Sequence, residues 1–322
     1  MAEPRGGVSR SSGVFKLPAR PSPRAEIHEL ADFAELMACA YGVVSAREIT
    51  AFLGREGESE PNIGCEDIDD QNADDVDEVM DEIERRERAC RGGYPFGLNK
   101  VGSVVRYTGS EDSTQAILYR YLLLATRLNM KKSRTYAGID DTLLFEAVSA
   151  WVLRLYLGGD RAKSMVFGTA AGSGDFGGRV HALCSDLGEA RGFRSIDDAQ
   201  VNANDDKLDV VGWIPFADKT AAQIVVFGQC KTGTSWTEGL CQLQPDAFIK
   251  TWVDGHFLLD PMRAFFVTEA VNRARWGSYA AKGGLLFDRC RLVDCCSSID
   301  ANLIERMRAW GSAAMEAARK DL

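Results

Sequence analysis

Two apolar runs between Leu208 and Gly233, "LDVVGWIPFADKTAAQIVVFGQCKTG", carry three residues that burial penalises: Asp209 early in the first, then Gln229 and Lys231 at the end of the second. Alternate side chains of a strand share a face, so Gln229 and Lys231 point the same way, while Asp209 shares its side with Val211 and Trp213. The intervening "PFADKT" has the Pro, Asp and polar residues of a hairpin connection. Pairing the runs brings the three polar groups together near one end of a sheet. A hard divalent cation such as Mg²⁺ takes oxygen ligands, usually one or two carboxylates with waters. Asp209 can give a carboxylate and Gln229 an amide carbonyl. Lys231 can give an ammonium that orients or deprotonates a water or neutralises a phosphate. Such a set suits cleavage of a phosphodiester.

The elements that would position these residues begin at Asp140, where the pattern alternates between helix and strand. "DDTLLFEAVSAWVLRLYLGG" opens with an acidic first turn, carries an apolar stripe and stops at a glycine pair, which predicts a helix of about four turns. "KSMVFGTA" reads as a strand and "FGGRVHALCSDLGEARGF" as a second helix. After the two runs come a helix in "GLCQLQPDAFIKTWVDG", a strand in "RAFFVTEAV", a last strand in "GLLFDRCRLVDCC" and a closing amphipathic helix from Asp300. The expected fold class is α/β with a mixed sheet.

Phe145-Glu146 opening a helix, Asp209 in a strand, Gln229-Cys230-Lys231 closing the next strand, and then a helix together resemble the PD-(D/E)XK, or restriction-endonuclease-like, nuclease superfamily over about Asp140 to Val271. In that family a helical glutamate precedes the sheet, an aspartate sits on the second strand, and Glu or Gln, any residue, then Lys sits on the third. These positions fall on Glu146, Asp209, Gln229 and Lys231. The resemblance implies a restriction-endonuclease-like core with an N-terminal helical subdomain. It also implies Mg²⁺- or Mn²⁺-dependent hydrolysis of phosphodiesters, in DNA more often than RNA, with Asp209, Gln229 and Glu146 as metal ligands. The setting would be bacterial restriction, repair or anti-phage defence, with room for a homodimer or for a partner subunit that supplies specificity. Glutamine in place of the commoner glutamate removes one negative charge, which Glu146 could restore. It also keeps open a second expectation, a catalytically degenerate nuclease fold acting as a binding module in a defence or mobile-element complex. The helix at 176–189 competes with that of Glu146 for the opening position, and its inward polar candidates are Arg179, His181 or Glu189.

Other features read as structural. "GTAAGSGDFGG" lacks the Gly-Lys-Ser/Thr ending of a phosphate loop and reads as a connector. Cys230 should face away from the site into the core. His181 and His256 lack ligand spacing, and Trp236 is expected to pack rather than stack on a base.

At 322 residues and 45% hydrophobic, the chain can bury a sizeable core. No apolar run approaches bilayer length, and residues 1–24 read as a flexible tail without a signal core, so a soluble, cytoplasmic protein with no membrane partner is expected. The nine cysteines are odd in number and scattered, as reduced thiols would be. The net charge of −9 is uneven: 14 acids and no base lie between Glu56 and Glu84, and the rest holds 33 acidic against 38 basic residues. A mildly basic body remains able to bind a polyanion. The acidic stretch 56–84 reads as a solvated loop followed by an exposed helix. Helical spacing from 25 to about 135, interrupted by "VGSVVRYTG", predicts a helical subdomain without a catalytic constellation, ahead of a nuclease-like domain at 139–322.

Overall fold

The computed structural model describes residues 25–49, 65–99, 102–110, 112–127, 134–168, 175–195 and 207–320, with the backbone alone at 65–75 and 318–320. The tail at 1–24, the acidic residues 56–64 and most of the glycine-rich 168–178 connector lie outside the described residues, as do the side chains of Asp69, Asp70, Asp74 and Asp75, which were expected to be exposed.

The main sheet contains β6 (Lys163–Val166), β7 (Val210–Ile214), β8 (Ile224–Lys231), β9 (Met262–Val267) and β10 (Leu285–Phe287), in the order β10-β9-β8-β7-β6. β7 runs antiparallel to both of its neighbours, β6 and β8, whereas β8, β9 and β10 run parallel. The mixed α/β class is therefore observed. A helix, α4 (Asp141–Tyr156), precedes the sheet and crosses one face of it; the Asp140 side chain caps it by accepting from the backbone N–H of Thr142 and Leu143. Gly212 admits this helix closely, since a Cβ there would lie 2.7 Å from the Leu153 side chain. The opposite face carries α5 (Phe176–Leu187) and α6 (Pro245–Trp252), whose Phe176, Phe248 and Trp252 pack with Phe167, Val211, Trp213 and Phe227. Cys230 falls on the α4 face, in the core as expected.

The first half holds α1 (Ile27–Tyr41), α2 (Cys65–Ala89) and α3 (Thr114–Arg127). It is not purely helical. β1 (Val43–Ser45), β2 (Phe96–Leu98) and β3 (Val104–Tyr107) make an antiparallel sheet in the order β1-β3-β2, from strands too short to leave a period in the sequence. A two-stranded hairpin of β4 (Thr135–Tyr136) and β5 (Ile139–Asp140) leads into α4. The acidic helix α2 is not exposed all round, because Val76, Val79, Met80 and Ile83 bury one stripe while Asp77, Glu78 and Asp81 face solvent.

Downstream, α7 (Trp276–Gly283) was not anticipated, and "GLLFDRCRLVDCC" is only half strand. Beyond Phe287, Asp288 accepts from the backbone N–H of Arg291 and caps α8 (Arg289–Cys295), whose Cys290, Leu292 and Val293 are buried at helical spacing. The chain closes with α9 (Ala301–Lys320). One continuous core joins Leu36, Val79, Leu122 and Trp310 to Val148, Val226 and Phe266, so the helices of the first half and the α4 face of the sheet bury each other.

Candidate active site

The ladder pairs Val210 with Gly228, which brings Asp209 level with Gln229 on the neighbouring strand. Asp209 is fixed from both sides. Its N–H donates to the Gly228 carbonyl at 3.0 Å, and its own carbonyl accepts from Phe167 and Gly168 at 2.7 and 3.1 Å. Its carboxylate Oδ2 accepts from the backbone N–H of Cys230 at 2.7 Å. It therefore caps the end of the β7–β8 ladder instead of standing clear of the face.

Glu146, on the second turn of α4, is 3% exposed. Its carboxylate lies against Gly168, where a Cβ would be 2.9 Å from Oε2. Gly168 also donates to the Asp209 carbonyl, so one residue without a side chain links the two acids. Gln229 is fully buried. Its Nε2 donates to Gln242 Oε1 at 3.3 Å, whereas its Oε1 is buried with no hydrogen bond. Lys231 is half-buried, and its stem lies along Gly239, where a Cβ would be 3.1 Å from Cε. Between them the Cys230 thiol points the other way. Burial, then the negative charge of Asp209, pushes it well above its usual range; Glu146 adds to the effect, while Ser149 and Lys231 oppose it. The two acids and the lysine thus surround one residue at one end of the sheet.

The alternative candidates at 176–189 do not join this set. Glu189 accepts from the backbone N–H of Ala222 and Leu258, both at 2.9 Å, at the opposite end of the sheet. His181 packs where a Gly192 side chain would be. Arg179 stands over the aromatic face, its guanidinium 5.9 Å from the rings of Phe167 and Phe176. Trp236 is buried and donates to Glu269 Oε2 at 2.5 Å, so it packs.

Two clusters escaped the sequence reading. Asp141, in the first turn of α4, is fully buried and accepts from the Tyr121 hydroxyl at 2.8 Å. The second cluster is an ion network beneath α1, built from Asp32, Glu35, Arg86, Arg127, Arg289 and Glu269. Asp32 takes Arg86 and Arg289 at 2.6 Å on Oδ1 and Arg127 at 2.6 Å on Oδ2. Arg127 also reaches Glu269 at 3.0 Å. Burial drives Asp32 towards its neutral form, but Arg289, Arg127 and Arg86 outweigh burial and hold the carboxyl well below its ordinary range. The available signal was Glu29, Asp32 and Glu35 at three-residue spacing inside an apolar helix.

Among the described residues no group of three or more His, Cys, Asp or Glu side chains is gathered as a metal site, and no helix is long and apolar enough to cross a membrane. The candidate set contains two carboxylates and one amide carbonyl. No family model, curated protein or solved structure matches the chain.

Proposed function

We propose that this chain is a divalent-metal-dependent endonuclease that hydrolyses phosphodiester bonds, with DNA as substrate. The observation that carries the reading is Gln229 Oε1, a carbonyl oxygen buried without a hydrogen bond beside the Asp209–Cys230 contact. Leaving such an acceptor unpaired costs about 1–3 kcal/mol, which a ligand would offset. The order α4, β6, α5, β7, β8, α6, β9 supports the same reading, with α5 inserted between the first two strands. It puts Glu146 on the helix before the sheet, Asp209 at the second strand and Gln229-x-Lys231 on the third, as the PD-(D/E)XK resemblance implies. Glu146, Asp209 and Gln229 are all-oxygen donors and suit Mg²⁺ or Mn²⁺. A bound ion of this kind supplies Lewis acidity to a phosphoryl oxygen and a more acidic water. The side chains do the rest: Lys231 orients the attacking water and offsets phosphate charge, and Cys230 N–H fixes Asp209. Water attacks phosphorus, the bond to the leaving sugar oxygen breaks, and that oxygen takes up a proton.

The test is nicking of supercoiled plasmid with Mg²⁺ or Mn²⁺, with and without chelator. Cleavage should require the metal and disappear in Asp209→Ala and Lys231→Ala. Full activity in Asp209→Ala would sink the mechanism. A second reading, the degenerate binding module, is favoured by the structural work that Asp209 and the Gln229 amide already do for Cys230 and Gln242. DNA retention without cleavage in every variant and the wild type would select it.

A further inference from the structure

Immediately after Lys231 the chain turns through Thr232 and Gly233, and two helices, α3 and α4, hold this turn. The Gly233 N–H donates to the Ala125 carbonyl of α3 at 3.2 Å. The Thr232 side chain lies close enough to Asp141 to favour its charged form. Asp141 Oδ1 accepts from the Tyr121 hydroxyl at 2.8 Å, and Oδ2 is buried without a hydrogen bond of ordinary geometry. Neither the apolar core nor the capping of α4 needs this acid, since Asp140 already caps the helix. Resting on the nuclease reading above, we propose that Asp141, gripped by Tyr121 and reaching Thr232, is a positioning residue for Lys231.

The grip depends on charge. Burial pushes the Asp141 carboxyl up to about 7, against the Tyr121 and Thr232 contacts that favour ionisation; Asp140 raises it further and Arg134 lowers it. Arg134 is itself paired with Asp140 at 3.0 Å. On the far side, Arg306 of α9 and Cys230 of β8 act on Tyr121. Ionised, Asp141 can accept from both Tyr121 and Thr232 and fixes the turn. Protonated, one oxygen becomes a hydroxyl that accepts more weakly than a carboxylate, and the turn loosens. Lysine placement, and with it cleavage, should therefore improve as pH rises through the neutral range, with a slope of up to about tenfold per pH unit.

The experiment reads Lys231 directly and also through activity. Lysines are ¹³C-methylated reductively, the Lys231 resonance is assigned by its loss in Lys231→Arg, and its shift is followed across neutral pH. An inflection near the Asp141 value is expected in the wild type. It should vanish in Asp141→Asn and move to higher pH in Tyr121→Phe, which keeps the ring and removes a hydrogen bond to the charged carboxyl. Plasmid nicking by the unmodified proteins should show the same bend in the wild type and a flat profile in Asp141→Asn. An inflection that survives in Asp141→Asn, or does not shift in Tyr121→Phe, overturns the proposal. A wild type that cleaves nothing while its Lys231 resonance still follows Asp141 removes the nuclease reading and leaves the positioning role standing.

Discussion

Two polar clusters occupy the same end of one sheet, and they treat their hydrogen bonds in opposite ways. Beyond β9 and β10, Glu269 and Arg289 enter a network in which each Asp32 oxygen meets guanidinium groups. Glu35 likewise accepts from Tyr94 and Tyr119, at 2.7 and 2.8 Å. At the ends of β7 and β8, Gln229 keeps a buried oxygen unpaired, and just behind it one Asp141 oxygen lacks a hydrogen bond of ordinary geometry. Complete pairing of buried charge at zero exposure is what a structural joint requires. Incomplete pairing is what remains where a ligand or a titration completes the set. The difference teaches that buried charge alone does not mark a site.

The contrast breaks hardest at Asp32. Asp32→Ala leaves Arg86, Arg127 and Arg289 buried around a missing anion and should cost about 3–5 kcal/mol in urea unfolding. A loss below about 1 kcal/mol would show that the network is no joint.

The pH dependence should differ in sign between the two regions. Asp32 has a lowered pKa, so its stabilisation is present above the unfolded carboxylate value and is lost as pH falls through the folded one. Asp141 has a raised pKa, so its share is present below the unfolded value and is lost as pH rises from about 4 to about 7. That share reaches at most about 4 kcal/mol, at about 1.4 per unit. Melting curves of Asp141→Asn against wild type should converge in acid and separate near neutrality, with the variant more stable; parallel curves would contradict the assignment.

Asp209→Ala should be milder for the fold. The carboxylate satisfies the buried Cys230 N–H, so a loss of about 1–3 kcal/mol is expected together with loss of cleavage. Gln229→Glu, by contrast, should gain more thermal stability from Mn²⁺ than wild type does, and no difference between them would argue against Gln229 as a ligand.

The smallest perturbation is Gly168→Ala. Its Cβ falls 2.9 Å from Glu146 Oε2, so the carboxylate must give way. Stability should drop by about 1 kcal/mol while nicking falls further, and unchanged nicking would detach Glu146 from the chemistry.

The sequence announced the sheet and α4 clearly, because their periods are long and Asp140, the glycine pair and "PFADKT" punctuate them. It also flagged Asp209, Gln229 and Lys231, since each interrupts an apolar run. The strands of the first half were hidden because three or four residues carry no measurable alternation. α8 was hidden because its opening "RCRL" alternates polar and apolar like a strand until the Asp288 cap is considered. Asp141 passed as an ordinary first-turn acid, and the ion network was illegible because its members lie as far apart in sequence as Asp32 and Arg289. Only tertiary packing brings them within 2.6 Å.

Helix α3 touches both clusters: Tyr121 grips Asp141, Ala125 holds the turn after Lys231, and Thr126 and Arg127 enter the ion network. A cut near residue 135 would therefore separate the lysine from its backing, Arg289 from Asp32 and Arg127 from Glu269 in a single stroke. For inheritance and engineering alike, the two halves behave as one indivisible cassette. A chimera that exchanges the first half must carry Tyr121, Ala125 and Arg127 at unchanged spacing, or it forfeits the site and the joint together.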